Sequence, residues 1–168
     1  MPNIRILTIT AINIIHIYIM PQTTIDFLDI DDRYDNESSQ IISISSGYRQ
    51  LQDPDTIVIK DTTIKIVFDY PLKQAFVFEF IAADSQGFTR KKLIDTIIKT
   101  YYEIYDEEKR TTNVKVDSME ERMAKSFLIN RNKTNGTYGI WGHDIDDLVI
   151  ERLIYDTDSK TLRMFIGS

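Results

Sequence analysis

One stretch constrains this chain more than any other: Gly87-Phe88-Thr89 through Arg110, reading GFTRKKLIDTIIKTYYEIYDEEKR. Leu93, Ile94, Ile97, Ile98, Tyr101, Ile104 and Tyr105 recur at i, i+3, i+4 and i+7, the spacing that stacks side chains along one side of an α-helix. Such a stripe must be laid on something apolar, and the segments before it read as strands. The expected fold is α+β: an antiparallel sheet of short strands packed against one long and one shorter helix, with a C-terminal β-hairpin.

The strand signal comes in short runs. Gln40–Gly47 alternates Ile42 and Ile44 with serines, and Ala75–Ala82 sets Phe76, Phe78 and Phe80 against Val77, Glu79 and Ile81 on opposite faces. Thr56–Lys60 and Thr63–Asp69 flank Asp61-Thr62, which predicts a tight hairpin between those two runs. Asp53-Pro54-Asp55 and Tyr70-Pro71-Leu72 punctuate the series as turns. Leu148–Tyr155 and Thr161–Ile166, either side of Asp156–Lys160, form the terminal hairpin, with Leu162, Met164 and Ile166 facing one way. A second helix starts at Ser118, because Ser118 and Glu121 have capping-box spacing. Its apolar stripe is Met119, Met123, Ala124, Phe127 and Leu128, running to about Asn130.

A chain of 168 residues fits one domain with a real core. Residues 1–20 are expected to be an N-terminal strand or extension, and residues 21–168 a single α+β domain. Ile4, Ile6, Thr8 and Thr10 alternate with Arg5, Leu7 and Ile9, which suits a buried or interface strand. Asn3, Arg5, Thr8, Thr10, Asn13 and His16 interrupt the apolar run that a membrane span needs, and no small-residue cleavage pattern follows.

Charge and composition narrow the functions. A net charge of −6 argues against general nucleic-acid binding. The absence of Cys excludes disulfides, thiolate catalysis and Cys-ligated metal. Two local groups remain as candidates beside the block at 138–147. Arg90, Lys91 and Lys92 occupy the first turn of the long helix, where free N–H groups and cations together suit an anion. Asp106, Glu107 and Glu108 occupy its last turn, so both charge clusters oppose the helix macrodipole. Asp29, Asp31 and Asp32 place carboxylates close together, as hard cations prefer, but without the glycine and terminal glutamate of an EF-hand.

The most distinctive block is Tyr138–Asp147, which holds the only Trp and one of two His. His143 beside Asp144, Asp146 and Asp147 is the one group that could pass for an active site, since a His beside carboxylates can act as general base or metal ligand. A zinc site needs several placed ligands, and the other His, His16, lies in the N-terminal strand. No nucleophile elbow, P-loop, dinucleotide fingerprint or His-Glu-x-x-His pattern occurs, and no cofactor is called for. The competing structural reading has Trp141 plugging the core and His143-Asp144 opening a helical turn before the hairpin.

The phrase NGTYGIWGHDIDDLVIERLIYD, followed by LRMFIGS, resembles the tail of uncharacterised proteins from large DNA viruses of amoebae and from protists. Gly87-Phe88-Thr89-Arg90 and the Tyr101-Tyr102-Glu103-Ile104-Tyr105 helix are similar to the same group, so the resemblance spans roughly residues 75–168. It implies an intracellular or virion location, and it implies no activity and no catalytic residue. The expected function is a non-enzymatic structural or interaction domain, without a membrane span, whose partner is another protein or a second copy. The alternative is a small metal- or phosphate-dependent enzyme built on His143, Asp144, Asp146 and Asp147.

Overall fold

The computed structural model describes residues 22–25, 29–30, 38–39, 41–125 and 130–168. In chain order the strands are β1 (Gln22–Ile25), β2 (Asp29–Ile30), β3 (Ser38–Ser39), β4 (Ile42–Ser43), β5 (Ile57–Ile59), β6 (Thr63–Phe68), β7 (Phe76–Ile81) and β8 (Phe88–Thr89). Helices α1 (Arg90–Thr111) and α2 (Met119–Lys125) follow, then a 3-10 turn over Ile145–Asp147 and the strands β9 (Val149–Asp156) and β10 (Thr161–Gly167). The expected α+β class is what forms. The expected N-terminal strand over 1–20, and Asp31 and Asp32, lie outside the described residues.

The main sheet runs β1-β9-β10-β6-β7, and β4 shares an edge of β9 with β1. Every pairing in it is antiparallel except β10 with β6, which is parallel with Leu162 opposite Ile66. The terminal hairpin thus inserts itself beside β6 rather than closing an edge. That insertion corrects the predicted hairpin between Thr56–Lys60 and Thr63–Asp69. Both sides of β6 are taken, by β7 and β10, so β5 pairs with β8 instead. Gly87 permits this pairing: its φ is +102°, and a Cβ there would lie 2.1 Å from the Ile59 carbonyl oxygen. The expected strand over Gln40–Gly47 shrinks to Ile42–Ser43, because the Gly47 N–H turns back onto the Ser43 carbonyl at 3.0 Å.

Helix α1 covers one face of this sheet as its periodicity requires. Leu93, Ile94, Ile97, Tyr101 and Ile104 are buried, with Ile98 and Tyr105 packed half-buried against the core. Each fully buried aliphatic contributes about 1.5–3 kcal/mol of transfer free energy. Opposite them lie Ile64, Ile66 and Phe68 of β6 and Leu162 of β10, all buried, with Phe68 edge-on to Tyr101 at 5.1 Å between ring centroids. Thr89 caps the helix, its hydroxyl accepting the Lys92 N–H at 3.2 Å.

Helix α2 begins as predicted, with reciprocal bonds from the Ser118 N–H to Glu121 and from the Glu121 N–H to Ser118. Its buried face is not the predicted one. Met119, Met123 and Ala124 are exposed, and the side chain turned inward is Arg122. An ion pair decides the orientation, since Arg122 reaches Asp144 across the fold. Phe127 and Leu128, the rest of the expected stripe, lie outside the described residues. Trp141 requires a second correction. It is 40% exposed, while its neighbour Ile140 is fully buried and fills the core position expected of it.

Candidate functional site

The chemistry-bearing residues gather where the 130–147 segment lies against the C-terminal half of α1. The anchor is Glu108, which continues the helix stripe one turn past Ile104 and is fully buried. Its carboxylate accepts backbone N–H groups from Gly136 at 2.8 Å, Tyr138 at 2.7 Å and Gly139 at 3.0 Å. Burial pushes this carboxyl up, but hydrogen bonds from the Thr134 hydroxyl and those three N–H groups outweigh it, and the net shift is downward. Gly136 is required by the close approach, because a Cβ there would sit 2.7 Å from the Glu108 carboxylate. Glu108 therefore organises the 134–139 loop, which in turn presents Trp141 and His143.

Beyond the loop, Asp144 is shared by two arginines. Arg122 pairs with its Oδ2 and Arg131 Nε lies 3.3 Å from its Oδ1. The two guanidinium side chains are only 7% and 8% exposed. Arg131 also lies over the Tyr105 ring, 5.5 Å from its centroid. Arg122 Nε and Arg131 Nη1 are buried without a hydrogen-bond partner. The Tyr105 hydroxyl donates to the His143 carbonyl at 3.0 Å, and burial pushes its ionisation well above the usual tyrosine range.

The structure brings His143, Asp144 and Asp147 close in space but gives each its own structural bond. The Asp147 carboxylate accepts the Asp144 N–H at 2.9 Å, closing the 3-10 turn that follows His143 as predicted. His143 stands beside Tyr70 and Trp141, with centroid separations of 5.5 and 6.0 Å. Its Nε2 lies 3.4 Å from Ser168 Oγ, which also contacts the Tyr70 hydroxyl at 2.9 Å. His143, Asp147 and Ser168 share a shallow pocket of about 340 Å³. The Ser–His contact is a long hydrogen bond, slightly beyond the roughly 2.6–3.2 Å of an activated nucleophile, as is common in ligand-free sites. No hydrogen bond joins the His143 ring to a carboxylate among the described residues. Asp146 is exposed on the other side of the turn.

At the opposite end of α1, Arg90, Lys91 and Lys92 are directed apart. Arg90 Nη1 donates to the carbonyls of Gln52 at 2.6 Å and Asp53 at 2.9 Å. Lys91 pairs with Asp95 at 2.6 Å and donates to the Tyr48 hydroxyl at 3.0 Å. The first helical N–H groups are also occupied, Arg90 by the Thr56 carbonyl, Lys91 by that of Pro54 and Lys92 by the Thr89 hydroxyl. Of the metal candidates, Asp29 contributes a β2 backbone position. No group of three or more His, Asp or Glu suited to holding a metal occurs among the described residues.

Sequence reasoning treated Glu108 as one of three like charges and passed over Arg122 and Arg131. Glu108 had a signal: it falls four residues after Ile104, on the line of the buried stripe. A carboxylate in an apolar register asks for donors. Arg122 and Arg131 had none, since their partner lies in a different segment. Comparison of the chain with protein-family models, curated proteins and solved structures gave no match.

Proposed function

We propose that this chain is a non-enzymatic interaction domain that pairs with a second copy of itself through the open edge of β7. The observation that carries this reading is the edge itself. β7 ends the main sheet, and no strand pairs with its outer side among the described residues. Its sequence, FVFEFI, leaves Val77 58% and Ile81 73% exposed. Edge strands are ordinarily protected by charged side chains, Pro or a bulge. β7 has no Lys or Pro, its single charge, Glu79, stands opposite Lys65 of β6, and its register against β6 is unbroken from Phe76 to Ile81. A strand laid antiparallel to its own copy closes a two-fold assembly and continues the sheet.

The enzyme alternative on His143, Asp144, Asp146 and Asp147 is supported less. Asp144 is neutralised by two arginines and Asp147 closes a turn, so neither is poised for proton transfer. No helix among the described residues is long and apolar enough to cross a membrane. The resemblance of residues 75–168 to proteins of large DNA viruses and protists fits a structural role in host cytoplasm or virion. Sedimentation equilibrium tests the pairing. Wild type should dimerise, and Val77→Lys with Ile81→Lys should be monomeric with unchanged helix content. A wild type that stays monomeric at all accessible concentrations would end the proposal.

A further inference from the structure

A cleft of about 650 Å³ opens between the last turns of α1, residues 112–116 and the 144–146 turn. That volume is in the range of small-molecule sites, roughly 300–1,000 Å³. Val114, Val116 and Ile145 supply apolar wall, and Arg131 with Lys109 and Lys115 supplies cationic groups, Lys115 being paired with Glu121. Arg131 is the unusual member. Its side chain is more than nine-tenths buried, one face lies over Tyr105, and its Nη1 has no hydrogen-bond partner. Buried donors are satisfied in the great majority of cases, so a guanidinium in a cleft wall with an orphaned nitrogen is short of an acceptor. Nη1 is closed to solvent, and a ligand meets it once the guanidinium turns toward the cleft.

Charge balance points the same way. Arg122 and Arg131 share the single carboxylate of Asp144, which leaves the buried cluster one positive charge in excess. One added monoanion would neutralise it. The guanidinium fork matches a planar carboxylate. Asp106, Asp144 and Asp146 line the same cleft, so a phosphate dianion meets more repulsion there than a carboxylate does. We propose that this cleft binds a small organic monocarboxylate, its head on Arg131 and its apolar body against Val114, Val116 and Ile145. The site is at the far end of α1 from Arg90, Lys91 and Lys92 and does not depend on the β7 edge.

The test is an amide NMR titration of the full chain with benzoate, phenyl phosphate and benzamide as probes. Benzoate should give saturable shifts at Thr112–Val116 and Ile145. Benzamide, which lacks the charge, should give none. Arg131→Met should weaken benzoate about tenfold or more, and its fold is protected because Arg122 still pairs with Asp144. Should that variant nonetheless fail to fold, Val114→Trp fills the cleft with Arg131 intact and should also abolish the benzoate response. Absence of saturable benzoate shifts, an equal response to benzamide, or full binding by both variants would overturn the proposal. Tighter binding of phenyl phosphate than benzoate would overturn the carboxylate assignment.

Discussion

The two ends of helix α1 handle charge in opposite ways. At its start, three cations stand together in sequence, yet Arg90 and Lys91 turn to separate partners and Lys92 is exposed. At its end, charges from four distant positions, Glu108, Arg122, Arg131 and Asp144, are brought inside by the fold. Local clustering of like charge usually produces a solvated face, because adjacent side chains cannot neutralise one another. Burial demands a counter-charge or donors, and those come from elsewhere in the chain. The contrast teaches that the informative charges in this molecule are those satisfied by segments remote in sequence, not those that merely stand together in it.

The largest effect should come from breaking the buried cluster. Asp144→Ala leaves two buried guanidinium groups without a counter-ion and should cost about 3–5 kcal/mol. A domain of this size commonly has about 5–15 kcal/mol in total, so urea denaturation should show a variant near the limit of folding. A loss as small as that of a surface carboxylate would remove the cluster from the stability of the domain.

Glu108→Gln should rank next, at about 2–3 kcal/mol, since it replaces a carboxylate accepting three backbone N–H groups by an amide with one acceptor oxygen. The sign of its pH dependence follows from the lowered carboxyl. A depressed folded-state value gives stability that is present above the unfolded value and is lost as pH falls through the folded one. The difference between wild type and Glu108→Gln should therefore be full at neutral pH and shrink in acid, below the usual glutamate range. Denaturation curves at pH 7 and in the acid limb measure this, and a constant difference would refute the assigned role.

The same contrast explains what the sequence disclosed. The α1 stripe was legible because periodicity of 3.6 is a local property, and Leu93, Ile94, Ile97, Tyr101 and Ile104 all turn inward. The Ser118–Glu121 cap and the terminal hairpin were legible for the same reason. Strand partners were not. The parallel contact of β10 with β6 joins segments nearly a hundred residues apart, and it displaced β5 to β8. Trp141 misled because size and apolarity do not fix which of two neighbours faces the core, and Ile140 took the place. In α2, a stripe of methionines lost to an arginine with a remote partner.

The smallest predicted effect is at the exposed start of α1, and it is a gain. Lys92 sits three residues after the N-cap Thr89, the position where a glutamate completes a capping box. Its N–H already bonds the Thr89 hydroxyl, so half of that motif exists. Lys92→Glu should supply the other half, reaching back to the Thr89 N–H as Glu121 does to Ser118. It also replaces a cation by an anion where the macrodipole favours negative charge, worth about 0.3–1 kcal/mol. The combined gain should be about 0.5–1.5 kcal/mol, or a melting temperature higher by about 2–4 °C per kcal/mol for a chain of this length. If Lys92 instead helps Arg90 and Lys91 to hold an anion, inorganic phosphate will stabilise wild type and not Lys92→Glu. Thermal melts of both proteins with and without phosphate decide between these outcomes; the expected result is a more stable variant and no phosphate effect on either.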